Sequence, residues 1–314
     1  MRTFLARRAG LALIQLFVVG TIVFLLARLI PGDPARAVLG DNATEDQVAQ
    51  VRELMNLDAP QWEQYFGFWG NLLRGDLGVS LISGRTVLED LPVRMGNSLE
   101  LVLLALALAM AIGIPLGRLA ATKANKAIDH IVTGGAILGI SLPVFVLGTL
   151  LLLVLGVWWP VLPPERFVSF AEDPLTHLRV LLLPVLTLTA ASTAVVARMT
   201  RSAMLETLSA DYVRTARAKG LREKHVVRRH ALRAAMLPIV SVSSVELTTL
   251  IGSTVLVESI FGWPGMSSLL MNAVTVRDYP VIQAVVLATA TIVIVVNLIA
   301  DITVRALDPR AESV

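Results

Sequence analysis

Twenty residues concentrate the charge that could do chemistry in this chain. The run "DYVRTARAKGLREKHVVRRH", Asp211 to His230, holds seven of the 27 Lys and Arg in a sequence that is only 16% charged. Three kinds of chemistry would use such a run: a topology signal beside a membrane, a docking surface for a partner protein, or a contact to phosphates of a nucleic acid. The nucleic-acid reading lacks a recognised fold or a stacking platform. Glu246 is the other candidate. It lies in "SVSSVELTTLIGSTVL", where an ionisable group must face a bundle interior or water because hydrocarbon solvates it poorly. It either lines a path or hydrogen-bonds a neighbouring helix. The stripe Ser244, Thr248, Gly252 reads as helix packing.

Enzymatic chemistry finds little support. There is no cysteine, hence no thiolate nucleophile, disulfide or thiolate metal site. The histidines, His130, His177, His225 and His230, form no H-E-x-x-H pair that would hold zinc, and none lies deep in an apolar run as a base for a membrane serine protease. The nearest string to a phosphate-binding loop, "GAILGIS", lacks the Lys that a P-loop needs. Catalytic, cofactor-binding and metal-binding residues are therefore expected to be absent.

The elements that must position these groups are apolar helices. The chain is 55% hydrophobic, its mean hydropathy is +0.72, and it contains runs long enough to cross about 30 Å of hydrocarbon. Six spans are expected: Gly10–Ile30, Leu99–Ala121, Ile128–Val157, Leu181–Met199, Met236–Ser259 and Val281–Thr303. Each is read as a helix, because alternation of the barrel-strand kind is missing. The first outlasts a signal-peptide core and lacks a small-residue cleavage site, so it is read as an uncleaved span. With both termini placed in the cytoplasm, inside segments carry 18 Lys and Arg and outside segments carry nine, as the positive-inside rule requires. The basic run then lies in the cytosol between spans four and five. Gly139, Pro143 and Gly148 are expected to bend span three, and Gly113 with Pro115 to bend span two.

The segment 31–97 is too long for a turn. Thr44 and Gln47 have capping-box spacing, with Val48, Val51, Leu54 and Met55 following at helical intervals. A second piece, "QWEQYFGFWGNLL", clusters aromatics, either as a membrane-interface belt or as a cap over an outer vestibule. In the basic run, Ser209 is expected to cap a helix with Asp211 in its first turn, and Gly220 to end it. Thr215, Ala216 and Ala218 are small enough for another backbone to approach, with Tyr212 and Leu221 at the ends.

These residues carry a resemblance. "DYVRTARAKG" followed by "RHALRAAMLPIV" resembles the cytoplasmic EAA loop of bacterial ABC importer permeases, most closely the dipeptide, oligopeptide and nickel type. The similarity continues through "RLIPGDP", "RGDLGVSL", "GIPLG", "SLPVF", "ARMTRSAMLETL", "FGWPGM", "RDYPV" and "LDPR". The short N-terminus and long first outside loop resemble the first of two paired permeases. The resemblance implies an all-α, multi-pass protein of the bacterial cytoplasmic membrane, one transmembrane domain over 1–314, with an extracellular insertion at 31–97 and a coupling loop at 200–235. It implies a second permease, two ATPases that hold ATP and Mg, and a solute-binding protein as partners, with no nucleic acid. The ATPase-docking helix carried over by position comprises Asp211, Tyr212, Arg214, Thr215, Ala216, Arg217, Ala218, Lys219, Gly220 and Leu221. Glu246, Ser141 and Pro143 are candidates for the path. Arg214 stands where many importers have Glu, which fits the peptide-type branch. Peptides lead among implied substrates, followed by nickel chelates and glutathione. The rival from another class, a self-sufficient secondary transporter, would favour intramembrane ion sites and repeated halves.

The charge asymmetry generates a test. A cysteine at Ala43 should react with an impermeant thiol reagent from outside intact cells, and one at Ala218 only after permeabilisation. The reverse pattern would overturn the orientation.

Overall fold

The computed structural model describes residues 2–29, 33–39, 43–54, 57–80, 82–162 and 166–307. The polar tail after Leu307, the first residues of the expected insertion and Met55 lie outside these. Among the described residues the structure is helical apart from turns and one isolated bridge, Val79 to Thr86. In order the helices are α1 (Arg2–Leu29), α2 (Pro34–Leu39), α3 (Glu45–Leu54), α4 (Gln61–Leu73), α5 (Val87–Thr122), α6 (Ala127–Ser141), α7 (Val144–Leu151), α8 (Pro174–Ser209), α9 (Asp211–Ala218), α10 (Glu223–His225), α11 (Leu232–Phe261), α12 (Met266–Val276) and α13 (Tyr279–Leu307). Two π-helical segments, Leu152–Trp158 and Val226–Ala231, extend α7 and join α10 to α11.

Five helical stretches are long and apolar enough to cross a membrane. A sixth results if α6 and α7 with its π extension count as one span. That pair is bent by 98°. The cause is in the sequence: Pro143 has no amide hydrogen to continue the ladder and pushes Leu142 into extended backbone, φ −82° and ψ 119°. The expected bend of the third span is thus a break. Helix α5, by contrast, runs without interruption through Gly113 and Pro115.

Contacts divide the chain into two compact units, Met1–Asn97 with Pro264–Val295, and Ser98–Trp263 with Val296–Val314. In the first, the capping box forms as its spacing predicts. The Thr44 amide donates to Gln47 Oε1 at 3.0 Å, and the Gln47 amide to Thr44 Oγ1 at 3.4 Å. Helix α4 coincides with the aromatic piece and lays it on α1. Phe17 stacks on Trp69 with ring centroids 5.1 Å apart, Tyr65 meets Phe24 edge-on, and the Thr21 and Tyr65 hydroxyls lie 2.8 Å apart. The aromatics therefore bind helix to helix, while Trp62 and Phe66 stay exposed. Helix α12 lies between the expected fifth and sixth spans, where the sequence reading assigns no element. It packs Met266 and Ala273 with Val87, Leu91, Val281 and Val285, and Asp278 just beyond it accepts from Ser80 Oγ at 2.6 Å.

The second unit is built on α8. Asp173 caps its N-terminus, accepting from the amides of Leu175 and Thr176 at 3.0 and 3.2 Å. The Thr176 hydroxyl and amide hold the Asp173 carboxyl below its ordinary range. Leu181, Val185 and Leu188 of α8 share a core with Leu101, Val102, Leu250, Val257 and Trp263. Helix α5 approaches α8 at backbone contact. A Cβ on Gly117 would sit 2.4 Å from the Ala197 carbonyl oxygen and 2.6 Å from Thr200 Cβ, so only glycine fits there.

This contact predicts a stability difference. Gly117→Ala should cost about 1–3 kcal/mol through overpacking, read as a lowered thermal midpoint in detergent. Gly134→Ala, where a Cβ meets nothing within 4 Å, should leave the midpoint in place. Equal midpoints for the two variants would contradict the packing.

Candidate functional site

The basic run begins one residue after α8 ends. Helix α9 has Ala210 as its N-cap with no side-chain cap. Ser209 does not cap it, because its hydroxyl donates backward to the Glu206 carbonyl at 2.7 Å, the competing local bond that serine makes at a helix end. The C-terminal expectation holds. Gly220 takes φ +78°, its amide donates to the Arg217 carbonyl at 2.9 Å, and the Leu221 amide donates to the Ala216 carbonyl at 3.4 Å. Those two bonds are a Schellman arrangement, whose left-handed residue favours glycine.

Helix α9 has one face turned inward. Val213 and Ala216, three residues apart, are 0% and 7% exposed and pack with Val226 against Leu208. Ala216 is therefore an anchor of the loop in its own chain, which departs from its grouping with Thr215 and Ala218 as space for a partner. Asp211, Tyr212, Arg214, Thr215, Arg217, Ala218, Lys219, Gly220 and Leu221 are exposed. Arg217 clamps the turn by donating from Nε and Nη2 to Glu223 at 3.0 and 2.8 Å, and this bond raises the Arg217 pKa. Arg214 pairs with Asp211 at 3.3 Å on the surface, so it is committed only weakly. The outward face thus offers one aromatic ring, small side chains and cations on a rigid turn.

Polar groups tie α8 to its neighbours at three levels. Near its start, His177 Nδ1 donates to the Val168 carbonyl at 2.8 Å, and Nε2 lies 2.9 Å from Glu100 Oε1 on α5. Phe167, Phe170 and Trp263 surround the imidazole edge-on. In the middle, Ser192 Oγ donates to Glu246 Oε2 on α11 at 3.0 Å. Toward its end, Arg201 grips Asp129 of α6 with two bonds, Nη2 to Oδ2 at 2.8 Å and Nε to Oδ1 at 2.5 Å. The same carboxylate accepts from the Asn125 amide at 2.9 Å. Such a two-pronged pair fixes position as well as charge. Of the path candidates, Glu246 is half-buried, while Ser141 and Pro143 are exposed at the break between α6 and α7. Gly252 is exposed as well, so the Ser244, Thr248 and Gly252 stripe does not form a packing seam inside this chain.

Two buried carboxylates escape a sequence reading centred on Glu246. Glu258 is 0% exposed and accepts from Ser98 Oγ at 2.5 Å. Its place in "VLVESIF" is the same signal that marks Glu246, an acid in an apolar run. Asp129 follows Lys123 and Lys126 at the very start of the expected third span, where one charge at a membrane boundary is ordinary. Its partner lies 72 residues away, and no local pattern joins them. Among the described residues no group of His, Asp or Glu has the arrangement to hold a metal ion.

Comparison with known proteins bears on this geometry. Residues 113–313 match the family of binding-protein-dependent transport system inner membrane components, and residues 1–83 match the N-terminal part of such membrane components. The chain is 38% identical to the dipeptide transport system permease protein DppB of Escherichia coli strain K12 over 99% of this chain and 98% of that one. It is 39% identical to the di/tripeptide transport system permease protein DppB of Pseudomonas aeruginosa, over the same shares. It is 37% identical to the glutathione transport system permease protein GsiC of Escherichia coli strain K12, over 94% of each. Among solved structures it resembles the inward-facing MetNI methionine ABC transporter, with TM-score 0.58, 19% identity, and 70% of this chain and 97% of that one covered. It also resembles an amino acid ABC transporter solved with histidines, with TM-score 0.53, 16% identity, and 76% and 98% covered. At these identities the structures speak to the fold.

The tie between Ser192 and Glu246 generates a test. Glu246→Gln keeps an acceptor for Ser192 and should leave the thermal midpoint near the parent's. Glu246→Leu removes it and should cost about 1–3 kcal/mol. Uptake measured in the Gln variant isolates the charge: a parental rate would remove any role for that charge on a transport path.

Proposed function

This chain belongs to the binding-protein-dependent transport system inner membrane component family, and from that premise we propose how it works. It is a permease subunit of an ABC transporter in the inner membrane. In the proposed assembly it crosses the membrane six times with both termini in the cytoplasm and joins a second, homologous permease to enclose one path. Two ATPases hold ATP and Mg below, and a solute-binding protein delivers cargo from above. Short peptides are the proposed cargo class, in keeping with relatives named for dipeptide, di/tripeptide and glutathione transport.

The observation that carries the coupling role is the two-faced build of α9. Val213 and Ala216 seat it on Val226, and its other face presents Tyr212, Thr215 and Ala218 beside Arg214 and Arg217. A helix anchored in this way transmits a push from an ATPase directly to α8, which ends one residue before it, and through Val226 to the segment leading into α11. Small groups on the outward face let the ATPase backbone come close, and Tyr212 gives the contact an aromatic centre of the kind that dominates protein interfaces. Arg118, Lys123 and Lys126 on the same proposed side add to the cytoplasmic charge. In this reading the break at Leu142–Pro143 and the half-buried Glu246 border the path. ATP-driven closure moves the two coupling helices together, and the permeases exchange outward for inward access.

Ala218→Trp should leave the protein in the membrane at parental levels but abolish co-purification of the ATPase and ATP-dependent uptake, because bulk on the exposed face blocks seating. Ala216→Trp, set against Val213 and Val226, should lower stability by about 1–3 kcal/mol instead. Full ATPase binding and uptake in the Ala218→Trp variant would refute the docking role.

A further inference from the structure

Beyond the outward face of α9, the cytoplasmic segment carries a second feature that coupling leaves unused. Arg222, Lys224, His225, Arg228, Arg229 and Arg233 line one open cavity of about 520 Å³. No carboxylate contributes to its lining. The acid nearest in sequence, Glu223, is held by Arg217. None of Arg222, Lys224, Arg228, Arg229 and Arg233 has a carboxylate partner among the described residues.

The backbone explains how so many cations gather. The segment Val226–Ala231 is π-helical, and a π turn bonds residues five apart. Lys224 lies just before this segment and Arg233 just after it; Lys224 with Arg228, and Arg229 with Arg233, are each four apart, the spacing that puts side chains on one helix face. Like charges in one concavity repel, and no internal ion pair relieves them. Burial does not account for the arrangement either, since all six side chains are exposed. What remains is an anion from outside the chain. The cluster ends in the first turns of α11, one of the helices long enough to cross a membrane. Long basic side chains at that point reach the headgroup layer, and a basic pocket at the cytoplasmic end of a spanning helix matches the charge of acidic lipid phosphates.

We propose that this cavity binds the phosphate headgroup of an anionic phospholipid. The proposal rests on the reading that the segment lies at the cytoplasmic membrane surface. The bound headgroup neutralises the cluster and fixes the start of α11 beside the coupling helix, so the composition of the inner leaflet becomes an input to the transporter. The chemistry recognised is a phosphate mono- or diester, and the source assigned is lipid.

The test uses the full chain reconstituted in nanodiscs of phosphatidylcholine alone, or of phosphatidylcholine mixed with phosphatidylglycerol, with bound lipid counted by native mass spectrometry. The parent should retain phosphatidylglycerol over phosphatidylcholine, with a preference that falls as salt rises. The triple variant Arg228→Gln, Arg229→Gln, Arg233→Gln should lose that preference by roughly tenfold or more, given the contribution of each basic residue near an anionic surface. The matching Arg→Lys triple variant, which keeps the charge, should retain it, so a loss confined to the Gln variant is not a folding defect. Equal retention of both lipids by the parent, or an unchanged preference in the Gln variant, overturns the proposal. Binding of inorganic pyrophosphate in detergent with no preference between lipids would assign the cluster to a soluble phosphate and overturn it too. Loss of ATPase binding in the Gln variant with lipid preference intact would assign the cluster to the ATPase and overturn it equally. Both leaflets of a nanodisc have one composition and no ATPase is present in the lipid count. Failure here therefore leaves the coupling role standing, and failure of the coupling role leaves the lipid result interpretable.

Discussion

Helix α8 carries the second unit because it is held at both ends and in the middle by polar contacts that an apolar environment makes expensive to break. His177, Ser192 and Arg201 lie 15 and nine residues apart along it. At 1.5 Å per residue the outer two are about 36 Å apart. They meet Glu100, Glu246 and Asp129 on three different helices, α5, α11 and α6. In hydrocarbon a carboxylate with no partner costs far more than its pairing returns, so each tie fixes a register that apolar packing alone would leave free to slide. Glycine contacts then set how closely the helices approach, as at Gly117 against Ala197. Helix α9 shares this rigidity because Ala210 alone separates it from α8.

The tie between Arg201 and Asp129 lies nearest to α9 along α8. Asp129 is 2% exposed and its charge is met by both prongs of Arg201 and by the Asn125 amide. Breaking one side of such a pair costs about 3–5 kcal/mol, because the other charge stays buried alone. The pair closes eight residues before the end of α8, and it joins that end to the turn between α5 and α6. A displacement of α9 therefore reaches α6 through a charged contact as well as through the backbone.

Sequence revealed much of this because the strongest constraint, the hydrocarbon core, writes itself as long apolar runs. Helices α1, α5, α8, α11 and α13 overlay the expected spans, and the Thr44–Gln47 box and the Gly220 terminus formed where local spacing placed them, since both are local hydrogen-bond motifs. Most of the misses share a cause. Helix α12 is short, and its apolar face is defined by Val87, Val281 and Val285 far away in sequence. The inward turn of Ala216 depends on Val226, across the glycine turn. Asp129 and Arg201 pair over 72 residues. Ser209 has two competing local bonds, and the chain takes the one to Glu206. Where a residue's role is set by a distant partner, composition and period carry no record of it. The docking role proposed for α9 rests on family resemblance; spacing alone leaves it open beside a topology signal.

The π-helical segment at Val226–Ala231 has a consequence for how this loop tolerates change in length. An α-helix advances about 100° per residue, so an inserted residue would ordinarily swing everything after it by that angle. Glu246 and Glu258 both follow the segment on α11, and they accept from Ser192 and Ser98. A widened turn absorbs one residue as local girth and passes no rotation on. The segment acts as a mechanical phase adjuster: the bearing of the α11 side chains is decoupled from the residue count of the basic run ahead of it. The contacts of the basic run can thus be rebuilt by insertion or deletion while α11 keeps its orientation.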